Sequence, residues 1–241
     1  MAAAGRARRP EERTAAHRFT TGATLGLAAG LIGLVLPIAL VLLETYEPSV
    51  LTPLTSDAVE ATGALALVAA VLFALSLIFY RRAFVALRGL DQRFWAASLL
   101  CLVGTLGFLL IIVAALLTFS SSGSIAQCLQ GAPSRAPSCL RSAALSASDL
   151  VVLGLFLVWL GGVGIIVGLA LSGRYFRRGA FYGGAAVYAA LLIVLTGPAL
   201  AILYPVANLA YLVLATPVLV LLAPWLVAHG SRAALGLPTA L

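Results

Sequence analysis

The amino-acid sequence predicts an all-α, polytopic integral membrane protein: a six-transmembrane-helix bundle with both termini cytoplasmic. Three observations carry that prediction. Of the 241 residues, 62% are apolar and only 10% are charged, far below the roughly 25% charged that soluble domains carry. The apolar residues lie in continuous runs, each longer than the ~20 residues that cross a hydrocarbon core of about 30 Å. Continuity also excludes a transmembrane barrel, whose strands alternate apolar and polar residues. Finally, the charges between the runs are sorted by sign, and arginine-rich short loops resist translocation.

The clearest polar break is Tyr80-Arg81-Arg82-Ala83-Phe84-Val85-Ala86-Leu87-Arg88-Gly89-Leu90-Asp91-Gln92-Arg93-Phe94-Trp95. Its four arginines between two long apolar runs place it on the cytoplasmic side, and the other loops follow by alternation. On a helical wheel Phe84, Leu87, Leu90 and Phe94 share a narrow arc, with the arginines largely elsewhere. That pattern predicts a short helix lying in the headgroup region, with its arginines on phosphate.

Residues 1–19 read as a basic cytoplasmic tail with five arginines, and Pro10-Glu11-Glu12 is a helix start, with proline first and acids in the first turn. A basic tail before an apolar run resembles a secretory signal. The run is longer than the usual ~7–15 residues, however, and no small-residue cleavage site follows. Residues 20–43 are therefore span one. Within it Gly22, Gly26 and Gly30 fall on one helix face and admit close backbone approach. The expectation is packing against a neighbouring span of the same chain, with dimerisation as the alternative, and Pro37 should bend the helix.

The loop after span one holds Glu44, Glu47 and Asp57, with Glu60 just beyond and no basic residue. Four carboxylates are the ligand type of a calcium site, but a translocated loop has the same composition, and no metal is expected. Span two covers residues 58–80 and span three residues 96–119, where Cys101 is a packing residue. Residues 120–149 form the longest polar stretch, an outer loop rich in serine, glycine and proline. Cys128 and Cys139 flank ten residues of it, and on an oxidising side the pair is expected to form a disulfide. Such a closure contributes roughly 2–3 kcal/mol. A soft-metal site would need two further ligands, and no histidine is near.

Span four, residues 150–172, carries Gly161, Gly162, Gly164 and Gly168 as a close-packing face, and Arg174, Arg177 and Arg178 mark the next inner loop. The following 48 residues, 181–228, hold no charge and divide into spans at 181–204 and 207–228, with Pro198, Pro217 and Pro224 inviting kinks. Residues 229–241 are a short cytoplasmic tail. The domain plan is thus a tail, a membrane domain over 20–228, and a second tail. This arrangement puts thirteen arginines inside and two outside, and five carboxylates outside.

No ionisable residue falls deep in a span, where pumps and membrane enzymes place them. The two histidines, His17 and His229, lie away from the outer acids. No zinc-protease pattern, phosphate-cradling loop or serine triad can be assembled. The expectation is no enzyme and no cofactor. Thr196, Asn208 and Thr216, with Tyr188, Tyr204 and Tyr211, could line a substrate site near the three prolines, which makes a small-molecule transporter or channel the alternative reading. The primary reading is a non-catalytic scaffold, assembly or accessory membrane subunit. Its expected partners are the bilayer and anionic lipid headgroups at the inner arginine loops. A protein partner or a homo-oligomer stays open, and nucleic acid is not expected, because the arginines sit at span ends rather than on one face of a domain.

The inner loop after span two, Tyr80-Arg81-Arg82-x-Phe84…Asp91-x-Arg93-Phe94, together with the order of six spans, resembles uncharacterised archaeal multi-span membrane proteins. The resemblance implies the six-span architecture over most of the chain and transfers no site residue.

Overall fold

Six α-helices run through the residues that the computed structural model describes. Backbone is described for residues 9–46, 56–120, 136–201 and 209–236, and side chains for 9–33, 64–65, 67–114, 116–117, 149–194 and 218–236. The helices are α1 (Pro10–Tyr46), α2 (Ser56–Arg88), α3 (Phe94–Ser120), α4 (Ala136–Phe176), α5 (Gly179–Ala201) and α6 (Leu209–Leu235). Each packs on its neighbour in sequence, and α1 packs on α6, so the chain closes into a ring. Among the described residues four segments are long and apolar enough to cross a membrane: Leu67–Arg88, Phe94–Ala114, Asp149–Phe176 and Val218–Leu235. Gly179–Val194 is apolar but shorter.

The helices overrun the hydrophobic runs that announced them. α1 begins at Pro10 with Glu11 and Glu12 in its first turn, as expected for a proline-started helix whose positive end meets carboxylates. Residues 10–19 are therefore not a tail, for Ala15, Ala16 and Phe19 are fully buried in the core. At the other end of the chain α6 continues to Leu235 and buries Ser231 and Ala234. Gly236 follows with φ +73°, the left-handed conformation that glycine adopts without steric cost after a helix.

The predicted headgroup helix is corrected most sharply. α2 runs unbroken from its apolar part through Arg88, and Phe84, Leu87 and Phe94 are buried inside the bundle. Arginine is a good helix former, so a run of arginines ends the hydrophobic pattern without ending the helix. The narrow apolar arc is real, but it faces neighbouring helices instead of lipid. The turn that follows is held by Leu90 and Asp91 N–H groups on the Leu87 carbonyl, at 2.9 Å each. The Asp91 carboxylate accepts the Arg93 N–H at 2.9 Å and starts α3.

The stretch expected to be an irregular outer loop over 120–149 is helical from Ala136 onward, as the first part of α4. Residues 121–135 lie outside the described residues.

Small residues set the spacing around the ring. A Cβ on Gly104 of α3 would come 2.6 Å from Gly161 Cα of α4, and one on Gly107 would come 2.6 Å from the Gly154 carbonyl. Both are closer than side chains tolerate, so the α3–α4 seam is backbone against backbone. The glycines of α4 do not share one partner. Gly154, Gly161 and Gly164 face α3, Gly162 faces Leu192 of α5, and Gly168 faces the Phe84 ring of α2. In α1, Gly22 lies against α2, Gly26 between Ser76 and Pro224, and Gly30 against Val220 of α6. Packing within the chain thus accounts for this stripe.

Candidate functional site

Antiparallel helices in a closed ring bring the start of α1, α3 and α5 and the end of α2, α4 and α6 to one end of the bundle. That end carries the two features on which a functional reading can rest, an aromatic seal and a crown of arginines around it.

A ring of six helices leaves a hollow along its axis that backbone contact cannot close. At this end large aromatic side chains fill it. Phe19 of α1 meets Phe84 of α2 at 5.4 Å between ring centroids and Phe181 of α5 at 5.5 Å, both edge-on. Phe84 stacks on Phe94 at 6.1 Å, and Phe94 meets Tyr175 of α4 edge-on at 6.4 Å. Tyr175 contacts Phe176 at 5.2 Å, and Phe176 stacks on Phe181 at 5.7 Å. The six rings therefore form a closed circuit drawn from five helices. The sixth helix joins through Gly230, where a Cβ would come 3.4 Å from Phe181. Gly168 lacks the Cβ that would overlap Phe84, which is what lets that ring reach across from α2 to α4. Deeper in the bundle Tyr80 lies beside Phe19, and its hydroxyl is 3.4 Å from that of Tyr188.

Polar groups at this end are spent on holding helices together. The Tyr175 hydroxyl donates to Glu12 Oε1 at 2.8 Å, tying α4 to the first turn of α1. Arg18 Nη1 donates to the Arg82 carbonyl at 2.9 Å, and Arg178 Nη2 to the Ala233 carbonyl at 3.3 Å. Ser76 Oγ donates to the Gly22 carbonyl at 2.7 Å, and the Thr20 and Ser231 hydroxyls share a hydrogen bond of 2.8 Å that closes α1 on α6. Among the described residues no buried side-chain nitrogen or oxygen lacks a partner, and no group of three metal-ligating side chains occurs.

Around the seal stand the arginines. The start of α1 presents Arg9 and Arg13, the end of α2 Arg82 and Arg88, the turn after it Arg93, the end of α4 Arg174, and the α4–α5 elbow Arg177 and Arg178, all of them exposed. Arg18, Arg81 and Arg232 are half-buried. Among the described residues only three acids share this end, Glu11, Glu12 and Asp91. Glu12 is held by Tyr175, and Asp91 by the Arg93 N–H. Arg177 occupies a backbone conformation with φ +53°, and the Arg178 N–H reaches the Gly173 carbonyl at 3.2 Å. This is the helix-ending turn that glycine usually supplies.

Of the residues singled out from the sequence, the proposed disulfide falls outside the description: Cys128 is not described, and only the backbone of Cys139 is, in α4. Cys101 is a free, buried thiol. The side chains of Thr196, Thr216 and Tyr211, and the whole of Tyr204 and Asn208, also lie outside the described residues, as do the side chains of Glu44, Asp57 and Glu60 and all of Glu47. Asp149 is exposed. His229 stacks on Trp225 at 5.6 Å, and His17 is exposed, so the two histidines converge on no common centre. The seal itself escaped sequence reading. Its one available signal was the recurrence of aromatic residues next to arginines in Tyr80-Arg81-Arg82-Ala83-Phe84 and Tyr175-Phe176-Arg177-Arg178.

Fold and site together define a class: an all-helical bundle with helices long and apolar enough to cross a membrane, closed at its basic end by aromatic rings. No protein-family model matches the chain, and neither does any curated protein or solved structure.

Proposed function

We propose that this protein is a non-catalytic scaffold, assembly or accessory subunit of a cell membrane, crossing the bilayer six times with its basic end in the cytoplasm. The observation that carries the reading is the aromatic circuit at the basic end. A transport path needs water or substrate to pass that level, and the rings from five helices fill it. Outward-facing Leu106, Leu109 and Val113 of α3 and Val152, Leu155 and Phe156 of α4 are exposed; in water they would be a liability, in lipid they are an ordinary surface. The arginine asymmetry supports the orientation. Cysteine labelling at Ala3→Cys and Thr239→Cys is expected to fail from outside intact cells, and labelling of either site from outside would reject the six-span arrangement.

The decisive experiment for function is flux in reconstituted vesicles under an imposed pH or sodium gradient. No uptake is expected. Gradient-driven uptake that disappears in Asn208→Ala/Thr216→Ala protein of unchanged fold would replace the scaffold with the transporter. On the outer side, a Cys128–Cys139 disulfide is part of the same proposal. Mass spectrometry of non-reduced peptides from the native membrane should recover the two cysteines linked, and recovery of both as free thiols would refute it.

A further inference from the structure

The fold leaves the charge of the arginine crown without compensation. Eleven described arginines face three acids at one end of the bundle. Two of those acids are already engaged, Glu12 by a tyrosine hydroxyl and Asp91 by a backbone N–H. The arginines that do make hydrogen bonds, Arg18 and Arg178, reach backbone carbonyls and so gain no opposite charge. Like charges gathered on this scale repel and work against the compact state. They stand directly over the aromatic circuit and on the ends of the helices that form it. Self-repulsion in the crown therefore pulls on the seal.

We infer that the crown binds anionic phospholipid headgroups of the leaflet in which it sits, and that this binding holds the aromatic seal closed. The inference rests on the membrane reading above. Three features favour lipid over an acidic protein. The arginines come from α1, α2, α4 and α6 and from the turns that lead into α3 and α5, so they are spread around the bundle, whereas a protein partner would be met by one sector. They lie where apolar, outward-facing surface begins, with Val85 and Leu99 exposed next to them. Trp95 and Tyr182, 52% and 47% exposed, stand at the same level, the position that amphipathic rings take at a membrane interface. Guanidinium groups pair with phosphate through two parallel hydrogen bonds and stay charged at any physiological pH. Each basic group near an anionic surface adds to the attraction.

The test uses the full chain in lipid nanodiscs. Two measurements are made, the thermal unfolding midpoint and amide hydrogen exchange over α1 from Ala15 to Phe19. Replacing part of the phosphatidylcholine by phosphatidylglycerol is expected to raise the midpoint and slow the exchange, both effects shrinking as salt is added. A variant carrying Arg88→Gln, Arg93→Gln, Arg174→Gln and Arg177→Gly should lose most of the lipid-dependent shift. Its four positions are exposed and the last removes a left-handed arginine, so its fold is kept in phosphatidylcholine. Equal midpoints and equal exchange in the two lipids would overturn the inference, as would a variant that keeps the full shift. A shift reproduced in phosphatidylcholine by inorganic phosphate would overturn the lipid as source. One produced by polyglutamate but not by phosphatidylglycerol would assign the crown to an acidic protein. None of these outcomes touches the scaffold reading, which stands or falls on flux.

Discussion

The α3–α4 seam and the aromatic circuit solve opposite packing problems within one bundle. Along the seam Gly104 and Gly161 put two backbones in contact, and any side chain there would drive the helices apart. In the circuit Phe19 meets Phe84 of the neighbouring α2 and also reaches Phe181 of α5, which is not its neighbour in the ring. The difference follows from the ring. Neighbouring helices gain by coming closer, since in lipid their association rests on van der Waals contact and not on expulsion of water. Helices that are not neighbours in the ring come close only locally, as where Phe84 of α2 lies on Gly168 of α4, so the space between them is filled by side-chain volume. Aromatic rings supply that volume and add roughly 0.5–1.5 kcal/mol per well-placed pair.

The sharpest way to break this contrast is Phe84→Ala. It removes the buried ring that links Phe19 to Phe94 and lies on Gly168, and should destabilise by about 3–5 kcal/mol. Unfolding in mixed micelles, followed by tryptophan fluorescence, gives the value. Adding Gly168→Leu should recover part of the loss, because the new side chain enters the vacated space. Alone, Gly168→Leu should destabilise. A coupling below about 0.5 kcal/mol between the two would mean that they do not share that space.

Gly161→Leu attacks the seam instead and should destabilise by about 1–3 kcal/mol through overpacking. Gly33→Ala is the matched control. A Cβ there meets nothing within 4 Å, so the better helix propensity of alanine should leave it neutral or more stable by up to about 1 kcal/mol. If both glycines responded alike, close approach would not be what the seam needs. The smallest effect belongs to the polar ties. Ser76→Ala removes the hydrogen bond to the Gly22 carbonyl and should destabilise by about 0.6 kcal/mol, the average for such bonds between membrane helices.

Several features of the molecule were legible in advance, and they share a kind. The helical class, the start of α1 at Pro10, the arginine-bearing elbow between α4 and α5, and the use of Gly22, Gly26 and Gly30 against neighbours in the same chain all follow from composition or from local residue chemistry. The misreadings share a kind as well. The sequence pattern places Phe84, Leu87 and Phe94 at a membrane surface, yet they lie in the core. Residues 10–19 read as a tail from composition, yet they contribute Phe19, which touches three aromatic neighbours. An apolar stripe beside arginines looks the same whether its partner is lipid or another helix, and hydropathy windows end where charge begins although a helix need not. Gly161, Gly162, Gly164 and Gly168 of α4 read as one face by spacing yet serve three neighbours, because spacing along a helix says which residues are adjacent but not which helix they meet.

By itself, then, the sequence determined that this chain is helical, that most of it belongs in an apolar medium, and that its arginines gather in alternate connections. Those properties are sums over residues or short-range chemistry, and they hold whatever the helices pack against. Only the tertiary structure decided that the helices close into a ring, that the ring needs filling, and that Phe19, Phe84, Phe94, Tyr175, Phe176 and Phe181 fill it. These six residues are scattered from the first helix to the fifth, so no window along the chain contains them. Ring closure brings them together, and that depends on glycines in α1, α3 and α4 setting distances between helices that local sequence does not encode.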